Sequence, residues 1–284
     1  MGWLLGPVVA GHWYPDDPGG LRREIDRRLV CGGSDPGRAC AVIAPHAGLV
    51  YSGDVAGAAF RTVRRGEFER VVVLGPSHYH AIRGAVVPPA DAWVTPLGRI
   101  PLDRRALEGL LASPHVRADR GPFAREHAIE IELPFLQRAL PGGFELVPML
   151  IGCDAEGSAA EELAAALRPW IDDRTLVVAS SDFTHYGETF GYVPFRDRVP
   201  ERLRDLDLGA IARIEAGDAE GLERYLDRTG ATVCGRHAIG VALRALPAGA
   251  RAKRLDYDTS GRMTGDWSHT VSYAAIAWPA ERVC

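Results

Sequence analysis

The sequence predicts an α/β protein: a three-layer α/β/α sandwich, formed as a single domain over residues 1–284. Three observations carry that prediction. Short runs of Val, Ile, Leu and Ala recur, bounded by Gly, Pro or Ser, as buried strands do. They alternate with amphipathic stretches of helical period. No internal repeat, low-complexity run or long linker divides the chain.

The elements follow in order. Leu21, Ile25 and Leu29 are spaced four apart among charges, which predicts a helix over 21–30. Ala41 to Ala44 reads as a buried strand, and Ser52 as the cap of a second helix through Val55, Ala59, Phe60 and Val63. Val71 to Leu74 is the next strand, and 102–111 a third helix. The stretch 126–140 contains Pro134, so a helix there must begin late or kink. Leu146 to Ile151 is a strand in which Pro148 marks an irregularity or an edge. Helices over 161–170, 202–216, 219–228 and 235–245 follow, with a strand at Leu176 to Ala179 and a last one at 271–278.

Composition narrows the function classes. With 284 residues, 46% hydrophobic and 25% charged, the chain can bury a substantial core. The net charge of −4 includes no basic stripe for nucleic acid. No run approaches the 18 or so apolar residues of a membrane span. The start Met1-Gly2-Trp3-Leu4-Leu5-Gly6 lacks the charged n-region of a signal peptide and the Ser or Thr of a myristoylation site. Five widely spaced cysteines (Cys31, Cys40, Cys153, Cys234, Cys284) do not form a disulfide framework. A cytoplasmic chain with reduced thiols is the expectation.

Three of the strand runs lead into titratable residues. Ala41-Val42-Ile43-Ala44 leads to Pro45-His46, Val71-Val72-Val73-Leu74 to Gly75-Pro76-Ser77-His78, and Leu176-Val177-Val178-Ala179 to Ser180-Ser181-Asp182-Phe183-Thr184-His185. Open α/β sheets gather their chemistry at the carboxyl ends of strands. His46, His78, Asp182 and His185 are therefore expected in one cleft, as a metal or acid/base site. Taken singly, each has a plainer reading: a hydrogen-bonded structural histidine, or an Asx turn at Asp182. Their shared placement weighs against it. Cys234-Gly235-Arg236-His237 opens a helix, where a thiol feels the helix dipole and Arg236 is a candidate anion clamp. The plainer reading of Cys234 is a small buried hydrophobe. Glu126-His127 with Glu130 and Glu132 reads as a solvated helix face. His12, His80, His115 and His269 have no supporting pattern. There is no Gly-rich phosphate loop and no Gly-x-Ser-x-Gly elbow.

Several stretches, in order, carry a resemblance: Gly11-His12-Trp13-Tyr14-Pro15, Ala44-Pro45-His46-Ala47-Gly48, Tyr51-Ser52-Gly53, Leu74-Gly75-Pro76-Ser77-His78, Trp93-Val94-Thr95-Pro96-Leu97-Gly98, Glu126-His127, Leu133-Pro134-Phe135-Leu136, Ser180 to Gly187 and Cys234 to His237. On these the chain resembles the MEMO family, which includes protein B of the AmmeMemoRadiSam system. The resemblance implies a fold like that of the class III extradiol (LigB-type) dioxygenases, with a central mixed sheet. Those enzymes hold non-haem Fe(II) with two His and one Glu. The resemblance assigns His46, His78 and Cys234 as ligands of one metal ion, with Asp182 and His185 as catalytic residues of the same pocket. Arg236, His237, His127 and Tyr51 are then expected to bind substrate. Thiolate softness favours Fe(II) or Cu, with Zn also admitted. The implied function is a dioxygenase-like oxidoreductase acting on a small phenolic molecule. The alternatives are a non-catalytic module binding metal or phosphopeptide, and a Zn-dependent hydrolase or lyase. AMMECR1-like and radical SAM proteins are the partners the family implies.

Overall fold

The computed structural model describes residues 3–30, 37–64 and 66–280. Cys31, Cys284 and the Met1-Gly2 start lie outside them. The first half of the chain holds β1 (Leu4–Leu5), α1 (Pro18–Val30), β2 (Ala39–Ala44), α2 (Leu49–Arg61), β3 (Arg70–Pro76), β4 (Ala85–Val87), β5 (Ala92–Thr95), β6 (Gly98–Pro101), α3 (Arg104–Leu110) and β7 (Val116–Ala118). The second half holds α4 (Leu133–Ala139), β8 (Glu145–Ile151), α5 (Gly157–Leu167), β9 (Thr175–Ser180), β10 (His185–Gly187), α6 (Val199–Glu215), α7 (Ala219–Thr229), α8 (Arg236–Ala245), β11 (Lys253–Thr259), α9 (Ser260–Thr264) and β12 (His269–Pro279).

Nine strands form one mixed sheet in the order β10-β12-β2-β9-β3-β8-β4-β7, with β11 also paired to β12. Its centre, β2-β9-β3-β8, is parallel. β12 runs antiparallel to β2, and β4 antiparallel to β8. The central strands are apolar on both faces because helices cover both. Helices α1, α2 and α4 pack together as one layer, and α5, α7 and α8 as the other. The expected three-layer sandwich is the observed fold. A second, three-stranded sheet, β1-β5-β6, is separate in its hydrogen bonding and packs against the first where β6 meets β8. Among the described residues, no helix is long and apolar enough to cross a membrane.

Two local expectations, on Ser52 and Pro148, are corrected, and one, on the helix in 126–140, is met. Ser52 does not cap α2; Gly48 does, and the Ser52 hydroxyl donates to the Ala47 carbonyl from inside the helix (2.9 Å). The helix in 126–140 begins late, at Leu133, with Pro134 in its first turn, where no N–H is needed. Pro148 lies within β8, an interior strand. The Leu146 carbonyl accepts from Asp103 N–H, and Leu150 pairs with Val86. Pro148 shares that edge by the alternation of the strand and falls between the two contacts, where a missing donor costs nothing. Strand β11 is an addition to the expected elements, and Leu255, Tyr257 and Thr259 alternate along it with charged residues.

Candidate metal centre

Strands β2, β9 and β3 are neighbours and parallel, so their carboxyl ends open on the same edge of the sheet. His46, Asp182 and His78 lie within two residues of those ends. His127 joins them from the turn ahead of α4. Donor atoms of His46, His78 and His127 all lie within 4.8 Å of one another. The His78 and His127 rings stack at 4.6 Å, and the His46 ring stands edge-on at 5.2 and 5.5 Å from them.

Each ring is gripped from behind. His78 Nδ1 lies 2.9 Å from Glu126 Oε1, and its backbone N–H donates to Glu126 Oε2 (2.6 Å). Glu126 also accepts from the N–H groups of His127 (2.9 Å) and Ala128 (3.0 Å). His46 Nδ1 lies 2.8 Å from Ser180 Oγ, which itself sits 2.7 Å from Glu132 Oε1 and 2.6 Å from the Ala128 carbonyl. The His46 backbone N–H donates to Asp182 Oδ1 (2.9 Å). His127 packs on Trp13, ring to ring at 4.3 Å, and its buried Nδ1 has no hydrogen-bond partner.

The acidic stretch beside His127 is therefore not a solvated face. Glu126, Glu130 and Glu132 are each at most 1% exposed. Glu130 accepts from Val8 N–H (2.6 Å), Val9 N–H (3.0 Å) and the Tyr14 hydroxyl (2.6 Å), stitching the N-terminal segment to the core. The period of this stretch shows no sign of burial. The partners that decide it lie up to 122 positions away.

Cys234 arrives from the start of α8. Its Sγ lies 3.1 Å from His46 Nε2 and accepts from Asp182 N–H at 3.2 Å. Gly235 lets the helix approach this closely. A Cβ there would sit 2.5 Å from Ser181 Cβ and 2.6 Å from the Ser180 carbonyl oxygen.

A cavity of about 680 Å³ opens over the three imidazoles, lined also by Tyr51, Asp182 and His185. Trp13, Tyr79, Phe190 and Tyr273 give it aromatic walls. His12 and His269, which had no pattern in the sequence, line it too. His185 Nδ1 donates to the Phe183 carbonyl (3.0 Å), so its Nε2 carries the lone pair. Arg236 and His237 do not line this cavity. The Arg236 guanidinium pairs with Asp227 (2.6 Å) and Glu156 (2.9 Å), and His237 Nδ1 lies 3.5 Å from Glu156.

The electrostatics suit a cation. Burial, with the neighbouring His78, holds His46 well below the usual imidazole range and His127 at about 4. Both rings are neutral at neutral pH, the form that ligates. Burial pushes Asp182 up to about 7, against the His46 N–H that favours its charge. Burial also raises Glu126, but the hydrogen bonds from His78 outweigh it and hold the carboxylate low. Burial and Asp182 push the Cys234 thiol well above its usual value. With Nδ1 engaged on His46 and His78, each turns Nε2 outward, as metal-ligating histidines do. The three imidazoles fit one divalent ion, and the Cys234 sulfur, beside His46, is not part of their cluster.

Comparisons with known proteins agree with this architecture. A family described as Memo-like protein matches residues 6–277. A MEMO1 family protein of Methanopyrus kandleri is 37% identical over 290 residues, covering 96% of this chain and 98% of its own. The protein memo-1 homolog of Caenorhabditis elegans is 32% identical over 280 residues, covering 94% and 80%. The crystal structure of an uncharacterized protein from Escherichia coli K12 shares the fold. Its TM-score is 0.53 at 15% identity, covering 84% of this chain and 99% of that one. By sequence over nearly its whole length, this chain belongs to the Memo family.

Proposed function

We propose that the protein is a mononuclear non-haem metal oxidoreductase acting on a small phenol-class molecule, with Fe(II) or Cu as its ion. One observation supports this above the others. His46 and His78 leave the two strands that flank β9, each with Nδ1 engaged behind it, and the Cys234 thiol lies 3.1 Å from His46 Nε2. His46, His78 and Cys234 would hold the ion, with His127 beside them as a further imidazole. When bound, the ion supplies Lewis acidity and redox chemistry with O2.

The remaining work falls to the chain. His185 presents a lone pair on Nε2 and takes the proton of a phenol O–H. Burial keeps its pKa below the ordinary range, so the base is free at neutral pH. Asp182 fixes the His46 backbone. Trp13 and Tyr51 offer faces for an aromatic ring.

Protein purified without oxygen is expected to carry one Fe or Cu per chain and to consume O2 with one of a panel of phenols. Metal without turnover would reduce the protein to a binding module. Zn-dependent hydrolysis without O2 would make it a hydrolase.

A further inference from the structure

We propose that Glu132 is held as an uncharged carboxylic acid whose O–H, acting through Ser180, fixes His46 as the Nδ1–H tautomer and so turns its Nε2 lone pair to the cavity. Glu132 is thus a positioning residue. Its consequence for metal affinity rests on the ligand role proposed for His46; its protonation does not.

A serine hydroxyl has one hydrogen to give and two lone pairs to receive. Ser180 Oγ has three polar neighbours: the Ala128 carbonyl at 2.6 Å, Glu132 Oε1 at 2.7 Å and His46 Nδ1 at 2.8 Å. The carbonyl can only accept, so it takes the one hydrogen. Glu132 and His46 must then both donate to Ser180. For Glu132 that requires the acid form, and for His46 a proton on Nδ1. An ionised Glu132 would claim the serine hydrogen and leave two bare oxygens facing each other at 2.6 Å.

The surroundings agree. Glu132 is 0% exposed, and its Oε2 has no hydrogen-bond partner. An orphaned oxygen costs far less on a neutral acid than on a carboxylate. Burial drives this carboxyl upward, and Asp182 adds to it. Glu126, bound by several N–H groups, is held in the opposite state. The two rear partners thus differ: a charged one for His78 and a neutral one, through serine, for His46.

The test uses apo protein at pH 8. The infrared spectrum of the wild type should show a carboxylic-acid C=O stretch that Glu132→Gln removes. Glutamine can donate to Ser180 from its amide N–H, so Glu132→Gln should keep Zn(II) affinity within a few-fold of wild type. Ser180→Ala, which breaks the relay, should weaken Zn(II) binding by roughly 10–100-fold. Absence of the acid band overturns the proposal, as does a Glu132→Gln loss equal to that of Ser180→Ala. Misfolding of Glu132→Gln also overturns it, because the amide supplies the same donor. A wild type that shows the band but binds no Zn(II) refutes the metal reading and leaves the protonation standing.

Discussion

Glu126 closes two hydrogen bonds on one residue, His78. One oxygen takes the ring Nδ1–H and the other the backbone N–H. The ring is fixed in both tautomer and direction by a carboxylate that is 1% exposed. Glu126→Ala would orphan these donors together with the N–H groups of His127 and Ala128. Metal affinity should fall by roughly 10–100-fold. Stability should fall by about 2 kcal/mol or more, since each buried orphaned group costs about 1–3 kcal/mol. Metal titration and urea unfolding on one preparation check both.

Cys234 offers a different handle. Burial keeps its thiol protonated in the apo protein, so binding a metal through sulfur must release a proton. Cys234→Ser should abolish most soft-metal binding, because a hydroxyl is a harder ligand that stays protonated. Its near-equal volume should leave the unfolding midpoint almost unchanged. Wild-type copper or iron stoichiometry in the variant would remove Cys234 from the ligand set.

His185 stands apart from the presumed ligands, hydrogen-bonded to carbonyls of its own loop and of Thr232. His185→Ala should keep metal content near wild type while turnover drops by about 10²–10⁴-fold, the usual loss for an acid/base group. Loss of metal would instead make it a ligand. Undiminished turnover would exclude it from the chemistry.

Behind His185, the buried Asp207 accepts the N–H and hydroxyl of Thr184 and the hydroxyl of Tyr257. Burial raises its pKa above the ordinary carboxylate value despite these donors. From the unfolded pKa up to that raised value, the folded state holds a proton the unfolded chain has lost. Stability therefore falls with rising pH across that window. Asp207→Asn should flatten this part of the profile. Urea unfolding of wild type and variant, stepped upward from pH 4, would show it, and parallel profiles would refute it.

The convergence of His46, His78 and Asp182 was legible because unbroken apolar runs betray parallel strands, and strand ends share an edge. The roles of Glu126, Glu130 and Glu132 were not. Acids spaced along a would-be helix look solvated, and only distant partners such as Tyr14 and Ser180 account for their burial. Arg236 reads as available for an anion because its partners, Asp227 nine positions before it and the more distant Glu156, share no helical period with it. The family resemblance groups His127 with the substrate-binding residues. Its nearness to the two strand-end histidines follows from a turn whose path the pattern does not reveal.

The 188 positions between His46 and Cys234 set a clock on biogenesis. Synthesis at about 5–20 residues per second separates the imidazole from the thiol by roughly 10–40 s. For most of that interval, until β9 is made at Thr175–Ser180, the nascent chain displays His46 and His78 without the sulfur and without the strand that holds them side by side. A cation meeting the chain then finds only loose imidazoles. If Cys234 is a ligand, as proposed, selective loading waits until translation has passed α8 and the sheet has closed. Metal identity would then depend on which ions are available after release, and not on those near the ribosome.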